Sequence, residues 1–382
     1  RVYIETEELK GRSTWFDRPE PGVVVLRITG GRKRKVMVRL FALAAVIRSR
    51  KIYFHSVLRM YDNRFGRFLH LPFIKKAVDI HGVVPEEFRM HNDFFSALIF
   101  DREEHLAVKK AGIAIVVTNA MRQYLQQKFR EDLRAKTIEF PMFPSFAPHI
   151  GARPLVDGKP IIVYAGGLHK WQQIPKMIDA IIKTSECYQH HFYCPEPDAV
   201  KAMIPDALLD RVTVDAKPHA ELMKIYERCH YGFILREDII VNRVACPTKL
   251  VEYIAMGIIP IVDCEDIGDF KALGMKFITL AEFIAAALPD ENRRLQMAEH
   301  NLQVYEKLKI VRQSGAREIY DYFISDANWK AAILEKARHA LPAHTLMGRI
   351  SRRVWGLVTP MVRTQKVVTP TMDHDAAYGV LD

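Results

Sequence analysis

The sequence predicts an α/β protein made of two doubly wound, Rossmann-like domains of similar size. Three observations carry that reading. Short β-branched runs alternate with longer helical runs from Val23 to Phe140, the pattern of a parallel sheet with crossover helices. The segment 141–160 then gathers Pro141, Pro144, Pro148, Gly151, Pro154, Gly158 and Pro160, the clearest composition shift in the chain. From residue 161 the alternation starts again and runs to residue 262. A length of 382 residues suits two domains of roughly 150 residues with extensions.

Taken in order, residues 2–9 set Val2, Ile4 and Leu9 among acids and read as a helix end or a strand. Val23 to Ile28 is a strand closing on Gly30-Gly31, and Arg32 to Lys51 is a basic, apolar segment, helical over most of its length. Ile52 to Ser56 and Ala77 to Ile80 are short buried strands. Ser96 to Lys110 is a helix, Gly112 to Val117 a strand, and Thr118 can cap a helix from Asn119 to Phe129. Thr137 to Phe140 completes the first half. The second half reads as strand 161–165, helix 175–184, strand 190–194, a helix near 217–228, strand 231–235, helix 247–256 and strand 258–262. Asp290 to Leu308 and Val311 to Phe323 are two long helical runs.

Composition narrows the function. With 49% hydrophobic and 26% charged residues the chain is globular, neither disordered nor fibrous. A net charge of +11 points to anionic partners: phosphates, lipid head groups or nucleic acid. RNA recognition calls for aromatic platforms among the basic residues, whereas these basic runs alternate mainly with aliphatics, so no nucleic-acid partner is expected. The five cysteines (187, 194, 229, 246, 264) form no CxxC pair, which argues against a disulfide frame or a zinc site and suits a reducing compartment. No stretch reaches the ~18 uninterrupted apolar residues of a membrane span. The chain starts with Arg1 rather than Met, which leaves open a leading segment whose signal this sequence does not show.

In open parallel sheets, ligands sit beyond the carboxyl ends of the strands. Three strand ends here have unusual composition. Asp79-Ile80-His81-Gly82 puts a histidine at the crest of the sheet, where it can donate to a substrate oxygen or merely tie down its own loop. Tyr164-Ala165-Gly166-Gly167 ends in paired glycines that let backbone amides approach a phosphate, followed by His169, Lys170 and Trp171; an ordinary glycine turn would look the same. The third is the most specific: Leu235-Arg236-Glu237-Asp238, a loop to Cys246, then the helix Pro247 to Met256 stopped by Gly257. Amides at that helix start attract anions and Lys249 adds a full charge beside them. Thr248 and Glu252 are four apart on one face, so a diphosphate at the tip would bring its ribose to Glu252. A capped surface helix with a Lys249–Glu252 pair is the bland alternative.

Taken together, DIHGVVPEE (79–87), VYAGGLHKWQQ (163–173) and YGFILRED…NRVACPTKLVEYIAMGIIPIV (231–262) resemble the retaining GT-B glycosyltransferases of family 4, over about residues 1–325. The resemblance implies two facing Rossmann-like domains, the second holding a nucleotide-sugar and the first an acceptor. With the Pro- and Gly-rich segment read as the domain linker, the chain divides into an N-terminal domain over 1–145, a linker at 146–160, a nucleotide-sugar domain over 161–310, a helix that by the resemblance crosses back over 311–325, and a basic extension over 326–382. By the same carry-over, His81 touches the donor sugar near the reacting carbon, Arg236 and Lys249 contact the diphosphate, Gly166 and Gly167 border it, and Glu252 binds the ribose. Lys170 and Thr248 lie in the same matched segments and join the candidate donor site. The family's EX7E pattern would put a second glutamate at position 244, which is Val244, leaving Asn242 and the loop amides as candidates for the sugar contacts. Arg1 to Glu5 resembles the family's first helix, so its first strand and glycine loop are not matched.

The expected reaction is transfer of a sugar from a UDP- or GDP-sugar, with retention at the anomeric carbon and no further cofactor. In the family's favoured front-face mechanism the leaving phosphate takes the acceptor proton, so no protein base is assigned. No DxD motif stands at a strand end, and no metal is expected. Two rivals remain at this point: a sugar-nucleotide epimerase on the same fold, which needs acidic groups around the sugar, and a non-catalytic basic binder. The basic residues Arg32 to Lys35, Arg39, Arg48, Arg50 and Lys51, with no acid among them, and Arg349 to Lys366 flank apolar runs. They lead us to expect a cytoplasmic protein peripherally bound to the inner membrane face, with a glycan or lipid-linked acceptor of the cell envelope.

Overall fold

The computed structural model describes residues 2–5, 16–17, 24–27, 32–130, 132–133, 136–144 and 146–324. Gly30-Gly31 and the extension 326–382 lie outside them.

The chain opens on a small sheet in which β1 (Val2–Glu5) runs parallel to β3 (Val24–Arg27) and β2 (Phe16–Asp17) antiparallel to it. Residues 2–5 are therefore a strand and not the first helix that the resemblance suggested. Val2, Tyr3 and Ile4 are β-branched or aromatic and suit a pleated surface. Helix α1 (Arg32–Ser49) leads to four parallel strands in sequential order: β4 (Lys51–Phe54), β5 (Lys75–Ile80), β6 (Ile113–Val116) and β7 (Thr137–Glu139). Between them lie α2 (Val57–Tyr61), α3 (Val84–Met90), α4 (Phe94–Lys110) and α5 (Asn119–Phe129). All four residues of β6 are buried, as a parallel strand covered on both faces requires. Thr118 caps α5, its Oγ1 accepting from Met121 N at 3.0 Å.

The second half begins with β8 (Ile161–Ala165), α6 (Ile174–Thr184), β9 (Gln189–Tyr193), α7 (Pro197–Lys201), β10 (Val212–Asp215) and α8 (His219–Tyr226). It continues through β11 (Tyr231–Phe233), α9 (Ile240–Arg243), α10 (Thr248–Ala255), β12 (Ile259–Val262), β13 (Ile278–Thr279) and α11 (Leu280–Ile284). The strands are all parallel in the order β10-β9-β8-β11-β12-β13. Strand order reverses between β8 and β11, which opens a crevice at their carboxyl ends. The last element, α12 (Glu291–Ile324), is one helix of 34 residues where the sequence suggested two. No Gly or Pro separates Leu308 from Val311, so nothing stops it.

The two halves share a core: Val116 and Met121 of the first belong to one cluster with Ile254, Tyr305 and Leu308 of the second. Polar contacts fix the seam. Thr118 Oγ1 donates to Val244 O at 2.7 Å, and the Asp269 carboxylate accepts from the amides of Asn119 and Ala120 at 2.7 and 2.9 Å. On α12, Arg312 donates to Pro141 O at 2.7 Å and lies 4.1 Å over the Phe140 ring, while Gly315 packs directly on the Glu139 carbonyl.

Candidate functional site

The crevice between β8 and β11 is built from the residues that follow each strand. Hydrophobic β8 is buried along its length and ends at Gly166, whose φ of +155° is readily taken only by glycine. Gly166 N donates to Tyr193 O at 2.9 Å, and Tyr164 Oη donates to the Gly167 carbonyl at 2.5 Å. A Cβ on Gly166 would collide with Lys249 Nζ, so the bare turn is what admits that amine. Lys249 Nζ lies 3.8 Å from the Tyr164 ring centroid, a cation–π contact.

Arg236, just past β11, comes to the same place. It is 8% exposed; its amide donates to Asp263 Oδ1 at 2.8 Å and its Nη1 to Asn242 Oδ1 at 3.4 Å. Burial pushes the guanidinium down to about 10, with Tyr164 opposing. Burial likewise holds Lys249 well below an ordinary lysine, Arg236 adding to the effect and Glu252 opposing it. Among the described residues, neither Lys249 Nζ nor Arg236 Nε has a hydrogen-bond partner, although both atoms are buried. Two cationic side chains whose buried nitrogens have unused donors can together receive a multiply charged anion.

Helix α10 carries the rest. Pro247 is its cap rather than its first residue, Thr248 opens it and is exposed, and Gly257 stops it with φ +64°. Glu252, 8% exposed, meets His219 at the start of α8, with Nε2 3.0 Å from Oε1. His219 was not found in the sequence: its partner is 33 residues away and Pro218-His219 reads as an ordinary helix start. Asn242 is buried, and its Nδ2 donates to Glu237 O at 2.9 Å while Oδ1 faces Arg236, so its amide is engaged inside the chain. Val244 is buried and its carbonyl belongs to the seam with Thr118. Lys170 is exposed, in the short turn Lys170–Gln172.

His81 stands at the crest of the first sheet, at the end of β5. Its Nδ1 is 3.5 Å from Asp79 Oδ1, and Asp79 Oδ2 accepts from Tyr53 Oη at 2.8 Å. The hydrogen bond that His81 donates to Asp79 raises the His81 pKa against an opposing effect of burial, with the Asp79 and Glu87 charges adding to it. His55, beyond β4, has its ring centroid 5.2 Å away. These partners all belong to the first half, whereas Gly166, Arg236, Asn242, Lys249 and Glu252 gather in the second. Near the glycine turn, contact across the halves comes from rings: Trp171 stacks on His169 at 4.6 Å and meets His91, at the end of α3 and not singled out in the sequence, edge-on at 6.2 Å.

No protein-family model matches this sequence, and no curated protein matches it. Solved structures do. A structure of E. coli trehalose-6-phosphate bound with UDP-2-fluoro glucose is similar at TM-score 0.56 and 11% identity, over 85% of this chain and 92% of its own. An α,α-trehalose-phosphate synthase (UDP-forming) from Burkholderia vietnamiensis is similar at TM-score 0.56 and 11% identity, over 85% and 91%. HepE of Anabaena, in complex with UDP-glucose, is similar at TM-score 0.51 and 15% identity, over 78% and 86%. The fold is thus the GT-B arrangement of two Rossmann-like domains.

Proposed function

We propose that this protein is a glycosyltransferase that moves a sugar from a nucleoside diphosphate sugar to a glycan or lipid-linked acceptor, with retention and without a metal. One observation carries the reading: at the topological switch point, beside the Gly166 turn, Arg236 Nε and Lys249 Nζ are buried and have no hydrogen-bond partner among the described residues. A sugar diphosphate supplies the missing anion. As the C1–O bond to phosphate breaks, its electron pair goes to the diphosphate, and these two cations stabilise the growing charge. The acceptor hydroxyl bonds to C1 on the face the diphosphate leaves, and its proton passes to a phosphate oxygen. His81, held by Asp79, donates towards the sugar, and Glu252 accepts from the ribose. The side chains that would meet the departing charge are cationic, so no metal is assigned. An epimerase needs acids around the sugar, and the position where the resemblance would put one is the buried Val244.

Membrane association is part of the proposal. Val38, Ala42 and Val46 bury one face of α1, yet Met37, Leu40 and Ile47 are exposed on the same helix as the exposed Arg48. Thermal shift with UDP- and GDP-sugars tests the donor site. A ligand at about 100 times its Kd should stabilise the chain by about 2.7 kcal/mol. No shift with any nucleotide-sugar overturns the reading.

A further inference from the structure

We propose that His219 is a positioning residue at the nucleoside end of this site, holding the Glu252 carboxylate so that the pocket selects ribose over 2′-deoxyribose. The inference rests on the donor reading above. It starts from the order of groups along α10. Lys249 marks the phosphate end, packed on Gly166 and sharing its burial with Arg236. Glu252 stands three residues further along the helix. His219 reaches in from α8 and puts Nε2 3.0 Å from Glu252 Oε1.

That contact sorts the charges. A carboxylate three residues after a lysine on a helix is placed to pair with it, and the Lys249 amine does sense the Glu252 charge. Such a pair would use up both the cation meant for the diphosphate and the acceptor meant for the sugar. With Nε2–H donated to Oε1, the carboxylate is turned towards α8, and Oε2 is left to accept a ribose hydroxyl. The Glu252 side chain is nearly buried, at 11% exposed, while the His219 ring is 62% exposed, so the imidazole forms the solvent wall of this corner. His219 itself need not touch the nucleotide; it acts through the orientation of Glu252.

The test is calorimetric titration of the full chain with UDP, GDP and their 2′-deoxy counterparts, for the wild type, His219→Ala and His219→Gln. The wild type should prefer the ribonucleotides by about tenfold, the size of one hydrogen bond to a charged acceptor. His219→Ala should bring that ratio close to one. His219→Gln, whose amide can still donate to Oε1, should keep most of it. A ribose preference unchanged in His219→Ala, including equal weakening of both nucleotide types, overturns the assignment and leaves the donor reading standing. Should His219→Ala bind too weakly to measure, the glutamine variant decides: a kept preference supports the inference and a lost one overturns it. A wild type that binds none of the four nucleotides overturns the donor reading, and this inference with it.

Discussion

Burial and the neighbouring Arg236 keep the Lys249 amine well below its ordinary pKa, so its charge depends on what lies beside it. An arriving diphosphate favours the protonated form and raises that pKa. Between the lowered value and the ordinary lysine value near ~10.4, binding should therefore take up a proton. Titrating UDP in two buffers of different ionisation enthalpy reads this directly; we expect net uptake in the wild type and none in Lys249→Met. Replacing both Arg236 and Lys249 with neutral side chains should reduce turnover at least ~100-fold, since each gives up part of a preorganised charge site. Undiminished turnover in that double variant would remove the two residues from the mechanism. His81 has the opposite sign. Its folded pKa is raised by the Asp79 hydrogen bond, so the stabilisation is fully present below the unfolded value of about 6.5 and is lost as pH rises through the folded value. The melting temperature of the wild type should exceed that of Asp79→Asn by more at acid than at alkaline pH. An offset independent of pH would show that Asp79 acts on stability through Tyr53 alone.

Helices and strands show where the sequence was legible. Strands such as Ile161–Ala165 and the helix Asn119–Phe129 could be read because a β-branched run or a threonine cap announces each locally. Val212–Asp215 was missed, although its Val-Thr-Val alternation is strand-like, because Pro205 and the polar residues around it look like loop. Helix α3 hid behind Pro85, which occupies its first turn rather than breaking it. The glycine turn and the cations of the candidate site were legible as types at strand ends; His219 was not, because only folding brings α8 beside α10. The seam was equally invisible, and it yields a prediction at this scale. Gly315 packs on the Glu139 carbonyl, so a methyl there must push α12 away from β7. Gly315→Ala should destabilise by about 1–3 kcal/mol, as overpacking does, despite alanine's better helix propensity. A denaturant midpoint at or above that of the wild type would mean that α12 does not brace the first sheet there.

At the scale of the whole molecule, the surplus of 11 positive charges is far more than the two cationic side chains of the candidate site call for. Among the described residues no helix is long and apolar enough to cross a membrane. Helix α1 offers a different relation to lipid. A helix that merely packs on a sheet buries its one apolar stripe, here Val38, Ala42 and Val46. Met37, Leu40 and Ile47 lie off that stripe and are more than half exposed, with Arg48 following Ile47 and no acid from Gly31 to Lys51. Apolar side chains among cations suit an anionic interface, where each basic residue contributes about 1 kcal/mol within a Debye length. Such a contact would bring the first half of the chain, and with it His81, towards a lipid-linked acceptor. We therefore expect the protein to sediment with anionic vesicles at low salt, to be released at high salt, and to ignore neutral vesicles. Replacing Met37, Leu40 and Ile47 with serine should weaken sedimentation while leaving the thermal shift by nucleotide-sugar in place. Equal behaviour on both vesicle types, or no binding at low salt, would rule out this surface as the route to the acceptor.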